Sequence, residues 1–282
     1  MWKSGSRCFT GGNVAARAVT DVFDSAWIWP ILAAPFVGSF LGVLIVRLPV
    51  GAPVVFARSA CPHCGTRLTA RDMLPIVGFL LLRGRCRHCG RAIGWFHLAI
   101  ELAAVAVALW AVAALPGAGP ATVWVACGLG WALLTLAWID GITFLLPDVL
   151  TLPLLLLGLL LTFFCEPEAL TDRCLAAVVG YLAFQGLAVA YRHLRGQDGL
   201  GGGDAKLLAA AGAWCGVAAL PFIVLGSALL GLLAALGLAL AGRGMTSRTP
   251  IPFGPCIALA FWLAWLHAGT WGSLAEVVWG AG

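Results

Sequence analysis

The sequence predicts an all-α polytopic membrane protein of about eight transmembrane helices, with a small insert built on four cysteines. Three observations predict it. Hydrophobic residues make up 61% of the 282-residue chain and charged residues 10%, with a mean hydropathy of +0.98, whereas soluble domains carry about 25% charged residues. Apolar runs near the roughly 20 residues needed to cross a bilayer recur along the chain. Two C-x-x-C pairs fall together in one arginine-rich interval. The 36 glycines and 13 tryptophans agree with this class, because glycine lets membrane helices approach and tryptophan favours the interface.

The candidate spans run at 26–46, 95–115, 121–139, 149–165, 174–191, 205–220, 222–241 and 255–273. Several are short enough to suggest tilt or a re-entrant segment, and only the stretch Trp214 to Pro221 marks a turn between 205–220 and 222–241. The first span is not followed by a small-residue cleavage site, so a removable signal peptide is not expected. The expected organisation is an N-terminal tail over 1–25 and a first transmembrane helix over 26–47. A cysteine-bearing cytoplasmic domain over 48–94 follows, and then a second transmembrane region over 95–282.

Orientation follows from the arginines. Arg47, Arg58, Arg67, Arg71, Arg83, Arg85, Arg87 and Arg91 lie between the first two spans, where Asp72 is the only acid. The positive-inside rule makes that interval cytoplasmic. Alternation then puts Arg192, Arg195, Arg243 and Arg248 on the same side, and the loop with Glu166, Glu168 and Asp172 outside. The tail falls outside as well, with Asp21 and Asp24 partly offsetting Lys3, Arg7 and Arg17. The basic interval is read as a topology determinant and not as a nucleic-acid surface.

The pairs Cys61/Cys64 and Cys86/Cys89 stand in "CPHCG" and "CRHCG". Two residues between thiols let one tight turn aim both sulfurs at a point, and Gly65 and Gly90 allow the backbone to close behind them. Two such turns make a tetrahedral thiolate site suited to a structural Zn²⁺. Two disulfides are disfavoured in a reducing compartment. Four thiolates close the site, so His63 and His88 are expected to be solvated. A segment this small depends on the metal for much of its folding energy. The scattered cysteines are read as small apolar fillers, although Cys165 and Cys174 share one outer loop and could pair.

Acids inside spans are costly, about 2.5–3.5 kcal/mol at a helix centre. Asp140, Asp148 and Asp204 all fall at cytoplasmic ends of spans. Asp140 and Asp204 therefore lie near one depth. If they meet, like charges a few ångströms apart cannot both ionise cheaply, one keeps a proton, and the pair can hydrolyse a peptide bond. Gly201, Gly202 and Gly203 leave room beside Asp204 for an extended substrate backbone. Asp204 and Asp148 each also fit a helix N-cap, whereas Asp140 sits at a helix end where the dipole disfavours anions. The residues alone leave open a paired catalytic site, proton-coupled transport using the same acids, and structural capping, with a non-catalytic assembly scaffold as a further class. Glu101, heading the second span, is either an interfacial acid or a site residue. The chain has no H-E-x-x-H, G-x-S-x-G or G-x-x-x-x-G-K-[ST] motif.

Several stretches together resemble the prepilin leader peptidases. They are "GSFLGVLIVRLP" (38–49), the paired C-x-x-C module, "IELA" (100–103), "IDGITFLLPDVLTLPLLLLGL", "GLGGGDAKLLAAAGAW" and "IPFGPCIALA", in this order. Members of that family are bifunctional prepilin peptidases and N-methyltransferases of type IV pili and type II secretion. They are also G-x-G-D aspartic proteases, distantly similar in motif to presenilins. The resemblance implies catalytic roles for Asp140 and Asp204, with Gly201, Gly203, Lys206 and Asp148 in the supporting loop and Asp148 not itself catalytic. It implies cleavage of a basic leader after a glycine, at the cytoplasmic face of the bacterial inner membrane. Prepilins or pseudopilins would be the substrates, and membrane lipid the other partner. It further implies methylation of the new N-terminus with S-adenosylmethionine, for which Glu101 is the candidate region and 48–94 the associated domain. Two positions depart from the family's pattern: Met73, before Leu74-Pro75, where Asn is usual, and Trp95-Phe96-His97-Leu98 where Tyr-Pro is usual. No nucleic-acid partner is expected, and the sequence is silent on oligomeric state.

Overall fold

A computed structural model describes residues 27–54, 59–69, 71–196, 201–241 and 251–268. Arg58, Arg243, Arg248, Cys8, the charged tail residues and the end of the last expected span lie outside the described residues. Nine α-helices are present among those described: α1 (Ile28–Arg47), α2 (Val77–Leu81), α3 (Phe96–Ala114), α4 (Pro120–Thr143), α5 (Asp148–Cys165), α6 (Leu170–Arg195), α7 (Gly202–Cys215), α8 (Leu220–Leu240) and α9 (Gly254–Leu266). Short 3-10 turns at Pro167–Ala169 and Val217–Ala219 lead into α6 and α8. Among the described residues, β pairing is limited to two isolated bridges.

Six helical stretches are long and apolar enough to cross a bilayer, and together they make this a multi-pass membrane protein. The two remaining expected spans are α7, of 14 residues, and α9, of 13. Both are short for a physical reason. Ten of the residues of α7 and nine of α9 are buried, so these helices are surrounded by protein and need not match the lipid thickness. The turn at 214–221 is real: α7 ends at Cys215 and Gly216 follows with φ 83°.

The described residues divide into two compact units, one up to Thr135 and the other from Leu136 onward. In the first unit α1 packs on α3 at close range. A Cβ on Gly38 would stand 2.6 Å from the Cα of Glu101, so only glycine admits this crossing. The Trp131 indole donates to the Ala104 carbonyl at 3.0 Å and joins α4 to α3. In the second unit α7 is the central helix. A Cβ on Gly212 would stand 2.5 Å from the carbonyl of Ala176 on α6, and Trp214 donates to the Leu154 carbonyl of α5 at 2.8 Å. Arg173 donates to the Trp214 carbonyl at 2.6 Å, satisfying an orphan acceptor at the end of α7. Cys174 is a free thiol, so Cys165 and Cys174 do not pair with each other.

Candidate active site and metal centre

Asp140 and Asp204 are both buried, at 5% and 8% exposure. Asp140 lies in the last turn of α4, and Asp204 is the third residue of α7. The two carboxyls are within electrostatic range of each other, and both act on the Cys256 thiol of α9. Each accepts one backbone amide. Gly254 N–H donates to Asp140 Oδ2 at 2.9 Å, and Gly201 N–H donates to Asp204 Oδ2 at 3.3 Å. Each carboxyl is thus fixed by one oxygen.

Gly254 is the residue that sequence reasoning missed. It opens α9, so the positive end of that helix meets an acid placed at the negative end of α4. The dipole objection to Asp140 is removed by a second helix that arrives 114 positions later in the chain. The available signal was local: "FGP" places glycine at a helix start with proline just behind it.

The acids differ from the capping reading. Gly201 is the N-cap of α7 and Asp204 reaches back to its amide from the N3 position, the carboxylate half of a capping box. Pro147 occupies the N-cap of α5, and Asp148 follows as its first residue without a capping bond. Asp148 pairs instead with Lys206 at 2.6 Å, two residues beyond Asp204. Among the glycines, Gly203 packs on Leu146, whose Cβ would be 2.8 Å from an added methyl, whereas Gly202 faces open space. Room for an extended backbone therefore exists at Gly202, and Gly203 serves packing.

In the other unit, Cys61, Cys64, Cys86 and Cys89 place their sulfurs within 4.8 Å of one another, and Cys61 Sγ to Cys89 Sγ is 3.9 Å. Tetrahedral Zn–S bonds of about 2.3 Å require sulfurs about 3.8 Å apart, so this donor set fits a metal. The two halves are near copies. Cys61 N–H donates to Thr66 O at 2.9 Å and Gly65 N–H to Cys61 O at 2.9 Å; Cys86 N–H donates to Arg91 O at 2.8 Å and Gly90 N–H to Cys86 O at 2.9 Å. Gly65 and Gly90 take φ of 69° and 67°, the left-handed conformation this turn demands. Hydrogen bonding with the Thr66 side chain, then its backbone, pulls the Cys64 thiol down to about 6, toward the thiolate form that ligates metals. Asp72 braces the halves: it accepts from Thr69 Oγ1 at 2.7 Å and from Arg87 Nε at 2.9 Å. His63 and His88 are exposed.

Glu101 is buried at 6% exposure and its Oε2 accepts the Ile76 amide at 2.7 Å. Ile76 has φ 59°, a strained setting for a β-branched residue, and it lies between the two cysteine turns as the N-cap of α2, so this bond ties the middle of the cysteine module to α3.

Two family models match the chain: the bacterial peptidase A24 N-terminal domain over residues 32–115 and the type IV leader peptidase family over residues 127–236. Among curated proteins, the prepilin leader peptidase/N-methyltransferase of Burkholderia pseudomallei (strain 1026b) is 42% identical, with 79% of each chain covered. The same-named proteins of Dichelobacter nodosus and Pseudomonas aeruginosa are 35% and 38% identical, covering 84% of this chain and 90% and 88% of theirs. No solved structure matches.

Proposed function

Because the chain belongs to the type IV leader peptidase family, we propose that it removes the basic leader of type IV prepilins or type II pseudopilins and then N-methylates the product. The observation that carries the peptidase reading is the buried pair Asp140 and Asp204, each held by one backbone amide, with the Asp140 carboxyl within electrostatic range of Asp204. In this reading a water sits between the free carboxyl oxygens. The ionised aspartate takes its proton as the oxygen attacks the scissile carbonyl, and the protonated partner donates to the carbonyl oxygen. Collapse of the tetrahedral adduct returns a proton to the departing amine. The Lys206–Asp148 pair ties the start of α7 to the start of α5 beside Asp204, Gly201 supplies the amide that Asp204 accepts, and Gly203 lets α7 pack on Leu146.

By the positive-inside rule, the arginine-rich interval between α1 and α3 argues for a module and an aspartate pair at the cytoplasmic face of the bacterial inner membrane. The substrate's apolar helix would lie in the bilayer with its leader in the cytoplasm. Residues 48–94 would form the four-cysteine domain and 95–282 the peptidase region. Zn²⁺ is the metal best suited to four thiolates, where it would hold the two turns together as a structural ion. S-adenosylmethionine, when bound, supplies the methyl group. Glu101 fits that donor chemically, since a buried carboxylate offsets a sulfonium charge. The test is purified protein in detergent with a prepilin and the methyl donor, with mass spectrometry of the product. Removal of the leader and a methylated N-terminus support the proposal; an intact prepilin refutes it.

A further inference from the structure

The cysteine module carries an apolar surface that its metal site does not use. In the five-residue helix α2, Val77, Leu80 and Leu81 are 51%, 62% and 76% exposed, and the neighbouring Trp95 is 73% exposed. Arg83, Arg85 and Arg91 follow closely and are also exposed. A small water-facing module has no reason to display such a patch.

The depth of α2 is set by two contacts with α3. With 19 residues at about 1.5 Å each, α3 is about 28 Å long and uses nearly its whole length to cross a core of roughly 30 Å. Glu101 is its sixth residue, so it lies about 7.5 Å below the helix start. Its carboxylate leans back toward that start, as helical side chains do, and takes the amide of Ile76, the N-cap of α2. Phe79 of α2 meets Trp95, the N-cap of α3, with ring centroids 5.3 Å apart. These two ties hold α2 beside the first turns of α3 and so at the rim of the hydrocarbon core.

We propose that α2 and Trp95 form a membrane-seated surface whose occupant is the bilayer, with Leu80 and Leu81 among the upper acyl chains and Arg83 and Arg85 at anionic headgroups. Continuity with the lipid-facing side of α3 supplies the apolar half of this interface. The arginines supply the charge that matches phosphate. The four-thiolate site is thereby held at the membrane surface and does not swing free on its linkers.

The test uses the full chain in nanodiscs of phosphatidylglycerol and phosphatidylcholine. A trace phospholipid carries a photoactivatable diazirine high on one acyl chain, and labelled peptides are read by mass spectrometry. Peptide 77–81 and Trp95 should label within about twofold of Leu156 and Leu160, the exposed leucines of α5, and about tenfold above the segment 87–91. The double variant Leu80→Gln/Leu81→Gln should lose that label while Leu156 keeps its own. Labelling of 77–81 no higher than that of 87–91 would overturn the proposal. So would a prepilin that removes the label from 77–81 and leaves Leu156 unchanged, since the surface would then belong to substrate. No turnover is needed, so the result is independent of the peptidase reading.

Discussion

The backbone amide of Gly254 donates to Asp140 Oδ2 at 2.9 Å, and a Cβ at that position would stand 2.6 Å from the same oxygen. The start of α9 therefore both holds Asp140 and excludes every larger residue. Gly254→Ala must push the carboxyl aside or retract the helix. A shift near 1 Å in a reacting group costs about 10²-fold in rate. The expected outcome in steady-state cleavage assays is a kcat lower by about that factor with KM little changed, because substrate docking does not run through this oxygen. Native kcat would show that the amide contact is not needed for chemistry.

The Lys206–Asp148 pair predicts the opposite behaviour. Its members are 34% and 54% exposed at the side chain, and exposed pairs contribute about 0–1 kcal/mol. Asp148→Asn should retain cleavage within about fivefold of native, since 1 kcal/mol is less than a tenfold change. Abolished cleavage would mean that Asp148 belongs to the reacting pair.

Metal analysis addresses the cysteine module. One zinc per chain should copurify, and Cys61→Ser or Cys86→Ser should lose it, since each breaks one turn of the four-sulfur set. Chelation should expose the 61–91 region to proteolysis. Metal-free protein with protected turns would contradict the assignment.

Glu101→Gln separates charge from structure. The carboxamide oxygen still accepts the Ile76 amide, so the bond that fixes the module survives, while the negative charge is gone. Leader removal should persist and product methylation should fall about tenfold or more, a loss near that of one charged hydrogen bond. Equal methylation by both proteins, read by product mass, would detach Glu101 from methyl transfer.

What the sequence made legible was whatever one side chain or one spacing encodes. Hydropathy located the helices to within a few residues, as for α1 against 26–46 and α3 against 95–115. The thiol spacing located the two turns that bring the four sulfurs together. Contacts made by backbone were not legible. Gly254 acts through an amide that any non-proline residue carries, and its partner lies 114 positions away. Gly203 was read as space for substrate, yet its hydrogen faces Leu146. Asp148 looked like a cap because the position fits one, but Pro147 takes the cap and Lys206, on another helix, takes the carboxylate. The helix α2 is too short for periodicity to reveal and owes its place to Glu101 and Trp95.

The most direct measurement is leader removal from a prepilin by purified Asp140→Asn and Asp204→Asn proteins beside the native chain. If one water is divided between these two buried carboxyls, each substitution alone should slow cleavage by about 10²–10⁴-fold, the usual worth of a proton-transfer group, with zinc content unchanged. Near-native cleavage by both variants would contradict the account.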